Sequence, residues 1–291
     1  MTIAVACNLA DGVVMGADSA ITIHGAVETP TGKQEGIVKV YNDAEKLFQL
    51  YELSVGVVTY GVAQLNLRTI DSYIREFEHE HSPKEVREWS IQQFAKELWG
   101  FFNIRYRKAF TAVLEQKCEK PFDEIEPQKR PALGLMVGGF NPNEYLSELW
   151  DVIVHSQNAE DGVKQTRKPG DFGSSWRGQI EGVRRFHKGF SFEHLQSVID
   201  VILKHFDVQM DQELEQKIKP IVGQAEYIIP WGGMPLQEGI DYVKFCLDIM
   251  IGQTKFVIGA PTCGGNVRIG VIQRDKGLRF VTETGFEMRT V

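Results

Sequence analysis

A chain of 291 residues, 43% apolar and 24% charged, is long enough to bury a large core and has the balance of a globular protein. Its net charge of −7 argues against general binding to nucleic acid or to acidic membrane surfaces. Cys7, Cys118, Cys246 and Cys263 form no CxxC pair, no basic segment precedes an apolar one at the start, and every apolar run is shorter than the roughly 20 residues of a spanning helix. The expectation is a reduced, cytoplasmic protein.

In chain order, TIAVACNL and VVMGADSAITI flank Asp-Gly, which predicts strand, tight turn, strand. HGAVETPTGKQEGIVKVYND, marked by Gly, Thr and Pro, is expected as a loop or extended excursion. KLFQLYELSVGVV resumes the strands. From Gln64 the period changes, with Leu65, Ile70, Tyr73, Ile74 and Phe77 near helical spacing. Ser82-Pro83 suits an N-cap ahead of a second helix, KEVREWSIQQFAKELWGFFNIRY. CEKPFDEIEPQKRP is a polar loop, and ALGLMVGGF and EYLSELWDVIV are strands joined by Asn-Pro-Asn. FGSSWRGQIEGVRRFHKG opens with serines suited to capping and continues as a helix. SFEHLQSVIDVILKHF and GIDYVKFCLDIMIGQT read as further helices, and GNVRIGVIQRD with KGLRFVTETG as a closing strand pair around Lys-Gly.

This order lacks βαβ alternation and a GxGxxG loop behind a strand, which disfavours a doubly wound parallel sheet. It suits an α+β, four-layer αββα sandwich: two antiparallel sheets face to face, flanked by helices. With no repeat, low-complexity tract or linker, residues 1–291 are expected as a single domain.

Conventional catalytic motifs receive little support. His79 and His81 stand two apart on a helix and face different ways. The glycine pairs match no phosphate loop, and neither GxSxG nor HExxH is present. Thr2 offers another chemistry. A small residue behind Met1 permits removal of the methionine, leaving a hydroxyl and a free α-amine on one residue. An α-amine has a reference pKa of about 7.7–8.0 and is partly neutral near pH 7. Threonine paired with its own amine is a recognised activated nucleophile. Asp18 sits inside an apolar run, where a carboxylate needs a cation. Lys46, heading KLFQL, is the candidate partner, and would hold positive charge near the hydroxyl.

Thr2-Ile3, DGVVMGADSA and EKLFQL resemble the proteasome β-type subunits and the bacterial HslV peptidase, which are N-terminal nucleophile (Ntn) hydrolases. The resemblance continues through TYGVAQLNLRTI, LGLMVGGF with LSELWDV, FGSSWRG and CGGNVRIGVIQRDKG. It is broad but gapped, with extra sequence near 24–43 and 207–235, as in a divergent bacterial-type member.

The resemblance implies Thr2 as nucleophile, Lys46 and Asp18 as its charged support, and Ser174 as the serine that helps hold the terminal amine. It places the oxyanion-hole glycine in SVGVVTYG, at Gly56 or Gly61. Before the closing strands the family has an aspartate and then a serine. Here Ala260 and Cys263 fall near those places, so Cys263 becomes a possible contact on the amine side. The implied activity is peptide hydrolysis by a threonine protease inside a ring or helical homo-oligomer, with an ATP-dependent unfoldase as a candidate partner. No metal or organic cofactor is called for. A non-catalytic assembly subunit and a small-molecule amidase of the same superfamily are the alternatives.

Overall fold

The computed structural model describes residues 2–29 and 32–281. The chain opens with strands β1 (Ile3–Leu9) and β2 (Gly12–Ala17), an antiparallel hairpin with Ala6 opposite Met15. Strands β3 (Ile21–Thr29) and β4 (Gly32–Tyr41) pair with each other, and β5 (Leu47–Gln49) precedes β6 (Val55–Gly61). A small ladder of β7 (Gln64–Leu65) and β8 (Arg68–Thr69) leads into helices α1 (Ile70–Glu80), α2 (Pro83–Val86) and α3 (Ile91–Cys118). Strands β9 (Leu133–Gly139) and β10 (Glu148–Ile153), the short helix α4 (Ala159–Gly162), and strands β11 (Val163–Arg167) and β12 (Gly173–Gly178) follow. Helices α5 (Glu181–Lys188), α6 (Phe192–Phe206), α7 (Gln212–Gly223) and α8 (Leu236–Phe256) precede strands β13 (Arg268–Gln273) and β14 (Gly277–Phe280).

Two five-stranded antiparallel sheets organise the molecule, ordered β12-β1-β2-β13-β14 and β11-β10-β9-β6-β5. Alternation along β1 and β2 turns Ala4, Ala6, Val13 and Met15 toward Val58, Met136 and Leu149 of the second sheet. The other face of β2 lies under α8, where a Cβ added at Gly16 would sit 2.7 Å from a Val243 methyl. Phe77 of α1 and Phe94, Leu98 and Phe102 of α3 pack on Val57, Leu135, Val137 and Val152 of the second sheet. The layers run helix, sheet, sheet, helix, and this is the αββα sandwich expected. Strand β1 is buried along its whole length, which explains why IAVACNL reads as an apolar run rather than alternating.

Of the two forms expected for the polar stretch 24–43, it takes the extended excursion, mostly as a hairpin with Gly25 opposite Gly36. Several local expectations need correction. Helix α1 begins at Ile70, not Gln64: Thr69 Oγ1 caps it by accepting from Ser72 N at 3.3 Å, and the preceding residues form the small ladder. Ser82 does cap a helix start, but α2 is one turn long, and Ser90 caps α3 separately. Ser174 and Ser175 lie inside β12, not at a helix cap. The end of the closing strand pair, 282–285, lies outside the described residues.

The chain divides into two compact units. One unit runs through Gln179 and resumes at Trp231; the other is Ile180–Pro230. The second unit holds α5, α6 and α7, so much of the extra sequence near 207–235 belongs to it. No residue of α6 or α7 is buried.

Candidate active site

Asp18 follows the last residue of β2, at the end of the sheet where β1 begins. Its carboxylate is 1% exposed and fully occupied. Oδ1 accepts from Ile3 N at 3.1 Å and from Lys46 Nζ at 2.9 Å. Oδ2 accepts from Ala20 N at 3.3 Å and from Gly264 N at 3.0 Å. Four donors offset the cost of burying the charge. Lys46 stands just ahead of β5, and its own carbonyl anchors that edge by accepting from Thr59 N at 2.8 Å. Its ammonium donates to Asp18 and to Ala20 O at 2.6 Å, leaving one of its three protons for the cavity beside it. Burial pulls the Lys46 ammonium below the usual lysine range, and the neighbouring Asp18 carboxylate opposes that pull.

Thr2 and Lys46 line the same cavity, of about 540 Å³. Ile21, Ala44, Val62 and Ile70 give it apolar wall, and Thr59, Tyr60 and Gly61 line the side formed by the end of β6. Thr2, Asp18 and Lys46, separated in sequence, are thus brought together at one end of the sandwich.

The two candidate glycines separate cleanly. Gly56 lies in the core between the sheets, where an added Cβ would meet Ile272 and Leu278 side chains at 2.6 and 2.8 Å. Gly61 lines the cavity with φ of +96°, and an added Cβ would fall 2.0 Å from Ala132 O, so only glycine fits there. Along β6 the N–H groups alternate between neighbours: Thr59 N donates toward β5 and Val62 N toward Ala132 O. That alternation directs the Gly61 N–H to the β5 side, past the start of β5, where the cavity opens.

Ser174 is not brought to this cluster. It pairs with Cys7 in the ladder, well along β1 from Thr2, and its hydroxyl lies 2.9 Å from the Tyr242 hydroxyl of α8. The residue opposite Thr2 is Gln179, whose N–H donates to Thr2 O at 2.8 Å. Gly178, with φ of +81°, permits the approach, since an added Cβ would lie 1.9 Å from Thr2 O. Gln179 Oε1 accepts from Thr262 Oγ1 at 2.7 Å and from Cys263 Sγ at 3.0 Å. Cys263 is thus linked to Thr2 through Gln179, which bonds both. Burial pushes its thiol up to about 12, so it is protonated at neutral pH. Sequence reasoning missed Gln179 and Thr262: the register of β1 against β12 brings the first here, and Thr262 joins it from the loop before β13 through its bond to Gln179.

Among the described residues, no group of three or more His, Cys, Asp and Glu side chains is placed to hold a metal ion. None of the described helices is long and apolar enough to cross a membrane.

No protein family model and no curated protein matches the chain. A solved structure of an Anbu (Gly-1) mutant from Hyphomicrobium sp. strain MC1 is similar at 12% identity and a TM-score of 0.49, over 98% of this chain and 90% of that one. A likeness at that level carries no weight for the function of this chain.

Proposed function

We propose that the protein is an N-terminal threonine amide-bond hydrolase, acting as a self-compartmentalising peptidase of the proteasome type. The observation that carries this reading is the buried Lys46–Asp18 pair, with Lys46 in the wall of the cavity that Thr2 lines. Once Met1 is removed, Thr2 Oγ attacks the substrate carbonyl and its proton passes to the Thr2 amine, directly or through a water. The Lys46 charge lowers the cost of the developing alkoxide, and Asp18 holds Lys46 in place. The Gly61 N–H stabilises the oxyanion. Collapse of the tetrahedral intermediate breaks the C–N bond, the terminal ammonium returns its proton to the leaving amine, and water then hydrolyses the ester on Thr2.

Intact mass of protein from its native host, together with peptide turnover by wild type, Thr2→Ala and Thr2→Ser, tests the reading. The expected result is loss of Met1, turnover by wild type, reduced turnover by Thr2→Ser and none by Thr2→Ala. Full retention of Met1, or equal turnover by Thr2→Ala, overturns it. Retention without turnover favours a non-catalytic subunit, and Thr2-dependent turnover of small amides by a monomer favours an amidase.

A further inference from the structure

Hydrogen bonds tie together the segments around Thr2. Gln179 N holds Thr2 O, Gln179 Oε1 holds Thr262 and Cys263, Gly264 N holds Asp18, and Asp18 holds Ile3 N. The side formed by Gln179, Thr262 and Cys263 is built from an amide, a hydroxyl and a thiol, none of them charged at neutral pH. We infer that Gln179 is a positioning residue for the α-amine of a mature Thr2, and that its uncharged cradle lets the amine keep the neutral, proton-accepting form at neutral pH. This rests on the function proposed above.

Most of the charges around the cradle are paired, and Asp43 meets only a neutral amide. Asp18 is spent on Lys46 and three N–H groups. Arg177, one residue before Gly178, lies 2.6 Å from Asp151 Oδ2, and Tyr60 donates to the same carboxylate at 3.0 Å. Of the carboxylates in the cavity wall, Glu45 meets Arg268 at 2.7 Å, Asp71 meets Arg75 at 3.5 Å, and Asp43 accepts from Asn266 at 3.2 Å. A carboxylate introduced at Gln179 would therefore be a new negative charge beside Thr2. By favouring the protonated amine it would raise the pH at which the amine can accept a proton.

The test is the pH dependence of kcat/KM for peptide turnover by Met1-free wild type, Gln179→Glu and Gln179→Leu, with the Thr2 amine titrated in parallel by NMR on 15N-labelled protein. Gln179→Glu is expected to move the acidic limb and the amine titration upward by roughly one pH unit or more, with little change in KM. Gln179→Leu is expected to lose about tenfold in kcat without an upward shift. Thr262→Asp places a charge at the neighbouring position, bonded to Gln179 in the wild type, and should shift both readouts the same way even if Gln179→Glu does not fold. Thr2-dependent turnover with an unmoved limb and an unmoved amine titration in both acidic variants overturns this inference alone. Absence of Thr2-dependent turnover in wild type overturns the proposed function and this inference with it.

Discussion

At the scale of single residues, the Asp18–Lys46 pair sets apart structural and chemical roles. Removing one partner of a buried pair leaves the other charge unmatched, at a cost of about 3–5 kcal/mol. Lys46→Ala is therefore expected to lose turnover and also to unfold at lower urea. Replacing both, as Asp18→Asn with Lys46→Met, should recover most of that stability and none of the turnover. Urea midpoints and a peptide assay on the three proteins check this, and an active double variant would remove Lys46 from the chemistry. Gly178→Ala makes a different prediction. Its Cβ would lie 1.9 Å from Thr2 O, so Thr2 must move, and turnover should fall by more than stability accounts for. Thr2, Asp18 and Lys46 were legible in the sequence because each is a polar residue placed against an apolar run. Gln179 was not, because nothing local ties it to Thr2. Ser174, matched through the likeness of FGSSWRG to the family's Gly-Ser segment, lies opposite Cys7 in β12, well along β1 from Thr2.

At the scale of elements, the seam between β9 and the chain after β10 has a pH-sensitive bond. His155 Nδ1 lies 3.2 Å from Leu133 N and 3.0 Å from Leu133 O, so its protonation decides which of the two it bonds. Burial holds the His155 imidazole below the ordinary histidine range, so the folded protein binds its proton less readily than the unfolded chain. The sign follows directly: no penalty exists above about pH 6.5, the unfolded histidine value, and stability is lost as pH falls through that value toward the lower folded one. Melting temperature should drop between pH 7 and pH 5, and His155→Gln should drop less over the same interval. In α3, Phe102 is fully buried against α1 and the second sheet, so Phe102→Ala should cost about 3–5 kcal/mol by urea unfolding. The sandwich strands and the long helices were legible because apolar period reports burial. The β3–β4 hairpin was not, since it pairs outside both five-stranded sheets and carries no apolar pattern. The start of α1 was missed because Leu65, buried by the small ladder, mimics one more helical position.

At the scale of the whole molecule, α6 exposes Phe192, Val201, Ile202 and Phe206, each at least half exposed. Apolar surface of this extent on a folded chain usually meets a partner. With the resemblance to chambered peptidases, the expected state is a large homo-oligomer, with a mass many times 32.9 kDa by light scattering across a dilution series. A stable monomer at micromolar concentration would count against a chambered enzyme. The division of the chain at residue 180 was not legible, because α5 follows β12 with almost no spacer and no change in composition.

The bond from Gly264 N to Asp18 joins residues 246 apart in the chain. Contacts of that span close late, because the entropy of the intervening loop must be overcome first. During synthesis, Thr2, Asp18 and Lys46 emerge early, Gln179 past the middle, and the loop at 262–264 near the end. On the proposed function, a nascent chain thus carries its nucleophile without the arrangement that would make it reactive. The site is timed by translation itself, and a chain halted before β13 is expected to be inert toward its neighbours on the ribosome. Peptide turnover by wild-type protein set against chains ending before residue 262 would measure that delay, with activity in the shorter chains counting against it.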